Sequence, residues 1–294
     1  MYDMKALYEA ESVSHAVSLL QEHPDAKIIA GGSDVLVQMR EGKLAGIELV
    51  SIYGLDELRG VKMDDDGTLR IGSLTSFSHV TRNPLIQTYI PVLGQAADQV
   101  GSPQIRNIGT IGGNTCNGVT SADTASTLHA LDAVMELTGP DGVRQVPIHD
   151  FYIKAGVVDL KPAELQTAIL IPKSSYENCF GEYIKYSMRN ALDIATLGCS
   201  VNVVLSGDKK SYERVRIAFG VAGPVPLRAV TAEAAVKGAP LSHETVEKAA
   251  QGVLEDINPR DSWRASKGFR LHLAQELTRR ALRKSTELAG GVLV

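Results

Sequence analysis

Cysteine is scarce in this chain: of 294 residues only Cys116, Cys179 and Cys199 are cysteine, set singly, with no C-x-x-C and no histidine at metal-ligand spacing. A structural zinc site or an iron–sulfur cluster usually needs four ligands, so neither is expected on this chain alone. An odd cysteine count also fits a reducing compartment. Long apolar runs are missing as well, and nothing approaches the roughly eighteen apolar residues of a membrane span. The opening MYDMKALYEA lacks a basic region followed by an apolar one, so no secretory signal is read. The expectation is a cytoplasmic protein with no membrane partner. Net charge is −4 with acids and bases interleaved, which gives no extended positive field and makes nucleic acid an unexpected partner. The fingerprints G-x-G-x-x-G, G-x-x-x-x-G-K-[ST], H-E-x-x-H and G-x-S-x-G are all absent, and the seven histidines stand apart. This speaks against Rossmann and P-loop binding, zinc peptidase chemistry and serine hydrolysis. Any chemistry on this chain has to arrive with a cofactor.

What is present is the composition of a globular protein, with 44% hydrophobic and 22% charged residues. The length suggests two or three packed subdomains. Near the start, ESVSHAVSLLQEHP spaces Val13, Ala16, Val17 and Leu20 as one helix face, with Ser12 as cap and Pro24 past the end. KIIAGGSDVLVQMREG reads as a strand over 27–30, a glycine turn and a helix opening near Ser33 and Asp34, and IELVSI as a second strand. Strand, helix, strand predicts a small parallel β-α-β unit over 1–58. Over 59–174, strands, capped helices and the Pro-Asp-Gly turn of TGPDGVRQVPI predict an α+β unit with a mainly antiparallel sheet. Over 178–290, EYIKYSMR, GCSVNVVLSG and ERVRIAFGVAG read as three antiparallel strands. Everything after Pro226 reads as helix: TAEAAVKG, SHETVEKAAQGVLED and SWRASKGFRLHLAQELTRRALRKSTE.

Two glycine pairs concentrate the chemical interest: Gly31-Gly32 in AGGSDVLV and Gly112-Gly113 in NIGTIGGNTCNGVTSADTAS. Glycine lets a backbone approach a bulky anion and point successive N–H groups at it, and the helix after Ser33 would add its dipole. Two such loops could clamp a pyrophosphate, although a single glycine pair is more often an ordinary tight turn. The second is crowded with hydroxyls and amides, from Thr110 through Asn114, Thr115 and Asn117 to Ser121. Asp123 at its end could accept from ribose or ribityl hydroxyls, or cap the helix over 124–131. Cys116 could touch a ligand or be a small buried thiol. Lys185 could reach a negative ring oxygen or be an exposed strand lysine.

The motifs AGGSDVLV and GSPQIRNIGTIGGNTCNGVTSAD, about eighty residues apart, resemble the two flavin-binding motifs, A-G-G-[ST]-[DN] and T-I-G-G-N, of the FAD-binding subunit of molybdenum-containing hydroxylases, the xanthine dehydrogenase family. The likeness extends through FGVAGPVPLRA and PRDSWRASKGFRLHL to nearly the whole chain. It implies an FAD-binding domain of the vanillyl-alcohol-oxidase (PCMH) type in two subdomains, then a C-terminal α+β domain of three strands and three helices. It places the pyrophosphate between Ile29, Ala30, Gly31, Gly32, Ser33, Asp34 and Val35 on one side and Thr110, Ile111, Gly112, Gly113 and Asn114 on the other. Asn117 and Asp123 fall toward the ribityl phosphate or adenosine, Leu165 lines the flavin, Lys185 lies near it, and Val100 stands where some relatives carry an aromatic residue. Ser33 and Asp34 occupy the place of a covalent-flavin histidine, which implies non-covalent FAD. By the same likeness the molybdopterin and [2Fe–2S] clusters belong to partner subunits, with purine oxidised there and electrons leaving through FAD to NAD⁺.

Overall fold

A computed structural model describes residues 2–294 as three sheets and one small hairpin. In the first sheet β1 (Met4–Glu9), β2 (Lys27–Ile29) and β3 (Ile47–Ser51) run parallel in the order β1-β3-β2. The helix Val13–Glu22 crosses between β1 and β2. Ser12 caps it by accepting from the His15 N–H, and it buries Ala16, Val17, Leu19 and Leu20. The strand β1 is an addition to the expected β-α-β unit. Its residues MKALYE stay mostly exposed, so no apolar run marked it.

The second sheet is antiparallel and five-stranded, with β4 (Val61–Met63), β5 (Leu69–Gly72), β6 (Val134–Gly139), β7 (Gly142–Pro147) and β10 (Leu165–Ile171) in the order β4-β5-β10-β6-β7. Between them β8 (Tyr152–Lys154) and β9 (Val157–Val158) form the small hairpin. The Pro140-Asp141 turn joins β6 to β7 as its composition required, with Gly142 at φ +102°. The central strand β10 is buried along its whole length. Phe77, Leu93, Ile111, Leu128 and Ile169 share the core beneath this sheet.

The third sheet has four strands where three were expected: β11 (Phe180–Tyr186), β12 (Leu197–Leu205), β13 (Tyr212–Gly220) and β14 (Leu227–Arg228). The extra strand is two residues at a sheet edge just after Pro226, too short to leave a periodic signal. The helices Val230–Val236, His243–Asp256 and Lys267–Leu288 complete this unit, with Phe219, Val253 and Leu277 in a common core. The last helix starts at Lys267, not at Ser262. Ser266 caps it by accepting from the Phe269 N–H, while Ser262 and Ala265 close a turn ahead of it. Partly buried ion pairs tie the second and third units, since Asp132 meets both Arg216 and Arg228, and Arg228 also meets Glu233.

Candidate functional site

A cleft of about 720 Å³ opens where the first and second units meet, within the ~300–1,000 Å³ usual for ligand sites. Both glycine segments line it. The first follows β2 and turns at Gly32, at φ +71°. The N–H groups of Gly31, Gly32, Ser33 and Asp34 donate to no acceptor among the described residues, so this segment offers a row of free donors. The following helix, Val35–Arg40, opens just after Asp34 as expected but has only six residues, so its dipole adds little. Asp34 does not cap it; its carboxylate turns to Gln38 Nε2 instead.

The second segment is not a loop. Thr110 caps a helix over Ile111–Cys116, accepting from the Gly113 N–H at 3.1 Å. Ile111 N–H donates to Thr75 O at 3.0 Å, Gly112 N–H to Ser73 O at 2.9 Å and Asn114 N–H to Thr110 O at 3.0 Å. These amides are taken, so the expected symmetric clamp of two open loops is replaced by one open row of donors facing one closed helix turn. Asn114 Oδ1 accepts from Thr124 Oγ1 at 2.6 Å, which leaves its amide N–H groups for the cleft. The glycines on both sides serve close packing. A Cβ on Gly31 would stand 1.9 Å from the carbonyl oxygen of Ile108, and one on Gly112 would stand 2.6 Å from Ser73 Cβ.

Ala30, Gly31, Gly32, Ser33, Asp34, Val35, Val100, Thr110, Gly112, Gly113, Asn114, Asn117 and Leu165 all line the cleft. Ile29 ends β2 behind this lining, and Ile111 is fully buried in the core below it. Asp123 and Lys185 lie outside it and take each other. Lys185 Nζ donates to Asp123 Oδ2 at 2.9 Å and to Gln99 O at 3.0 Å, and Tyr183 Oη donates to Asp123 Oδ1 at 3.1 Å. Burial pushes the Asp123 carboxyl up, with Lys185 working against that shift. The cap of the helix Asp123–Ala130 is Ala122, so Asp123 stands one residue inside it.

Several lining residues carried no motif in the sequence: Ser73, Phe77, Glu164 and Gln166. Glu164 is clamped by Arg144, whose Nε and terminal nitrogen reach its two oxygens at 2.8 Å each. That pair holds Leu165 against the cleft. Cys116 donates to Gln166 Oε1 at 3.0 Å, and burial pushes its thiol up to about 12, so it stays protonated at neutral pH. Ser73 Oγ and Gln166 Nε2 are buried without a hydrogen-bond partner among the described residues. Free backbone donors at one part of the cleft and apolar walls from Leu20, Leu74, Phe77 and Leu165 suit a long ligand that is anionic in one part and a flat ring in another. FAD meets that description.

The comparisons with known proteins agree. Residues 2–174 match the family described as the FAD binding domain in molybdopterin dehydrogenase, and residues 182–285 the CO dehydrogenase flavoprotein C-terminal domain. The chain is 42% identical over 293 residues to the xanthine dehydrogenase FAD-binding subunit of Escherichia coli O157:H7, covering 100% of both chains. It is 31% identical over 273 residues to the carbon monoxide dehydrogenase medium chain of Hydrogenophaga pseudoflava, covering 92% of this chain and 93% of the other. The solved structure of that organism's carbon monoxide dehydrogenase superposes with a TM-score of 0.92 at 30% identity, over 98% of this chain and 99% of its counterpart. An α+β flavin domain of the PCMH type, a C-terminal α+β unit and matches along the full length of the chain together place it among the FAD-binding subunits of the molybdenum-containing hydroxylases.

Proposed function

We propose that the chain is the electron-transfer subunit of a heteromeric xanthine dehydrogenase. The observation that carries this reading is the full-length 42% identity to a xanthine dehydrogenase subunit, against 31% for a carbon monoxide dehydrogenase chain. Bound FAD supplies the exchange between the one-electron chemistry of [2Fe–2S] clusters on a partner and hydride transfer to NAD⁺. In this reading an iron–sulfur subunit and a molybdopterin subunit complete the enzyme, as the likeness to medium chains of multi-subunit dehydrogenases supports. No helix among the described residues is long and apolar enough to cross a membrane, which is compatible with a cytoplasmic complex.

In this reading the free N–H groups of Gly31 to Asp34 take the pyrophosphate as charge-assisted donors. Asn114 and Asn117 present amides along the ribityl and adenosine side. Leu165 and Val100 form apolar walls against the isoalloxazine and keep water from it. Asp123 and Lys185 act through each other, holding the end of the second segment against β11. The test is purification of the tagged chain with its bound partners, followed by xanthine-dependent reduction of NAD⁺. The expected result is NADH formed with xanthine and little with nicotinate, aldehydes or carbon monoxide. A complex that oxidises one of those and leaves xanthine untouched would refute the xanthine assignment and leave the family unaffected.

A further inference from the structure

The open row of donors carries a charge of the wrong sign for a pyrophosphate. Asp34 is the last residue of that row; it is exposed, and it lines the cleft together with Gly31, Gly32 and Ser33. It forms no salt bridge among the described residues, and Lys43, a lysine that its charge reaches, is paired with Glu41 at 2.7 Å. A carboxylate just ahead of a helix ordinarily accepts from N–H groups two or three residues on. Asp34 precedes the helix Val35–Arg40 and does not do so. Its Oδ2 accepts from Gln38 Nε2 instead. Gln38 stands one turn along, where its own N–H donates to Asp34 O at 3.0 Å, and its half-buried side chain also lines the cleft. A carboxylate can only accept, so this bond settles which end of the carboxamide faces Asp34. Two anions beside one row of amides repel each other and compete for the same donors.

We propose that Gln38 is a positioning residue that holds the Asp34 carboxylate off the donor row and so keeps the row open for the pyrophosphate. Without Gln38 the carboxylate folds back toward the free N–H groups of its own segment, where it occupies donors and adds a like charge beside the phosphates. The inference rests on the reading that Gly31 to Asp34 take the pyrophosphate, and it names the side chain that keeps that segment available.

The experiment is the dissociation constant of FAD and, separately, of riboflavin on the full chain, at low and at high salt, for wild type, Gln38→Ala, Asp34→Asn and the double variant. Riboflavin lacks the phosphates, so the ratio of the two constants reads the donor row, whereas a general loosening of the fold moves both. The expected result is that Gln38→Ala weakens FAD about tenfold and riboflavin by less than about twofold, with a smaller loss at high salt. In the Asp34→Asn background the same substitution should cost almost nothing, because the carboxylate it would release is gone. A loss as large in that background as in wild type would overturn the proposal, since Gln38 would then touch FAD itself. Wild-type FAD affinity in Gln38→Ala, or an equal loss for both flavins, would overturn it too. A wild-type chain that binds FAD and riboflavin alike would instead overturn the placement of the pyrophosphate, a separate failure.

Discussion

Gly31-Gly32 and Gly112-Gly113 carry the same residue pair and border the same cleft, yet their backbones do different work. The first segment leaves four successive amides free, while the second has committed its amides to Ser73, Thr75 and Thr110. The second is also held from its far end, where Asp123 is bonded by Tyr183 and Lys185 of β11. Both pairs make room for neighbouring chain, Gly31 against Ile108 and Gly112 against Ser73, and only the first also leaves its amides open to a ligand. The first segment should govern affinity and the second should govern stability.

The strongest way to break that contrast is to cut the anchor. Asp123→Ala leaves Lys185, whose side chain is 6% exposed, without its carboxylate, and is expected to cost about 3–5 kcal/mol in urea unfolding. Asp123→Leu combined with Lys185→Met should recover most of that loss, because it removes both charges together. Should Asp123→Ala unfold like wild type, the second segment is not anchored as described.

Acid probes the same segment without a mutation. His129, on the helix that begins at Asp123, is 1% exposed, and burial lowers it from 6.5 to about 4, helped by the positive charges of His149 and Arg228 and opposed by the Ala125 carbonyl and Asp132. The unfolded chain therefore takes up the proton before the folded one does. Stability from this residue is complete above about pH 6.5 and is lost as pH falls toward about 4, on the order of 3 kcal/mol in all. Denaturation midpoints measured from pH 7.5 to 4.5 should fall through that window, and less steeply in His129→Gln.

Substitution of the glycines separates the two uses more finely. Gly112→Ala drives a methyl into Ser73 and is expected to destabilise by about 1–3 kcal/mol. Gly32→Ala meets the side chains of Leu36, at 3.1 Å, and Ile29, at 3.4 Å, and forces alanine to φ +71°, for about 1–2 kcal/mol and a larger relative loss of FAD affinity. Calorimetry with and without FAD checks the ratio of the two effects. The smallest effects are at the hydroxyls. Thr110→Ala removes a cap and should cost about 1 kcal/mol, whereas Ser33→Ala, exposed and capping nothing, should stay within about 0.5 kcal/mol.

The contrast also marks how far the sequence could be read. Motif order identified both glycine segments, the Pro-Asp-Gly hairpin and the capped helices, because each rests on local chemistry that any context preserves. Composition hid the conformation of the second segment. IGGNTC is a poor helix former, and it is helical here because Thr110 caps it and Ser73 and Thr75 accept from its first turn. Asp123 and Lys185 were legible as two candidate ligand contacts, but their pairing joins positions 62 residues apart and appears only in three dimensions. Gln166 did leave a trace, one amide within LQTAILI, but nothing in that run showed which atom would lack a partner. Strands β1 and β14 were lost for the opposite reason, being too exposed or too short to impose a pattern.

The most direct test of the open first segment is a titration of the purified chain with FAD and, separately, with riboflavin, following the flavin absorption. Riboflavin presents the ring and ribityl chain and lacks the pyrophosphate. If the free amides of Gly31 to Asp34 hold the phosphates, FAD binds about a hundredfold more tightly or better, the worth of two charge-assisted hydrogen bonds. Equal affinity for the two flavins, or no uptake of either, would contradict the account.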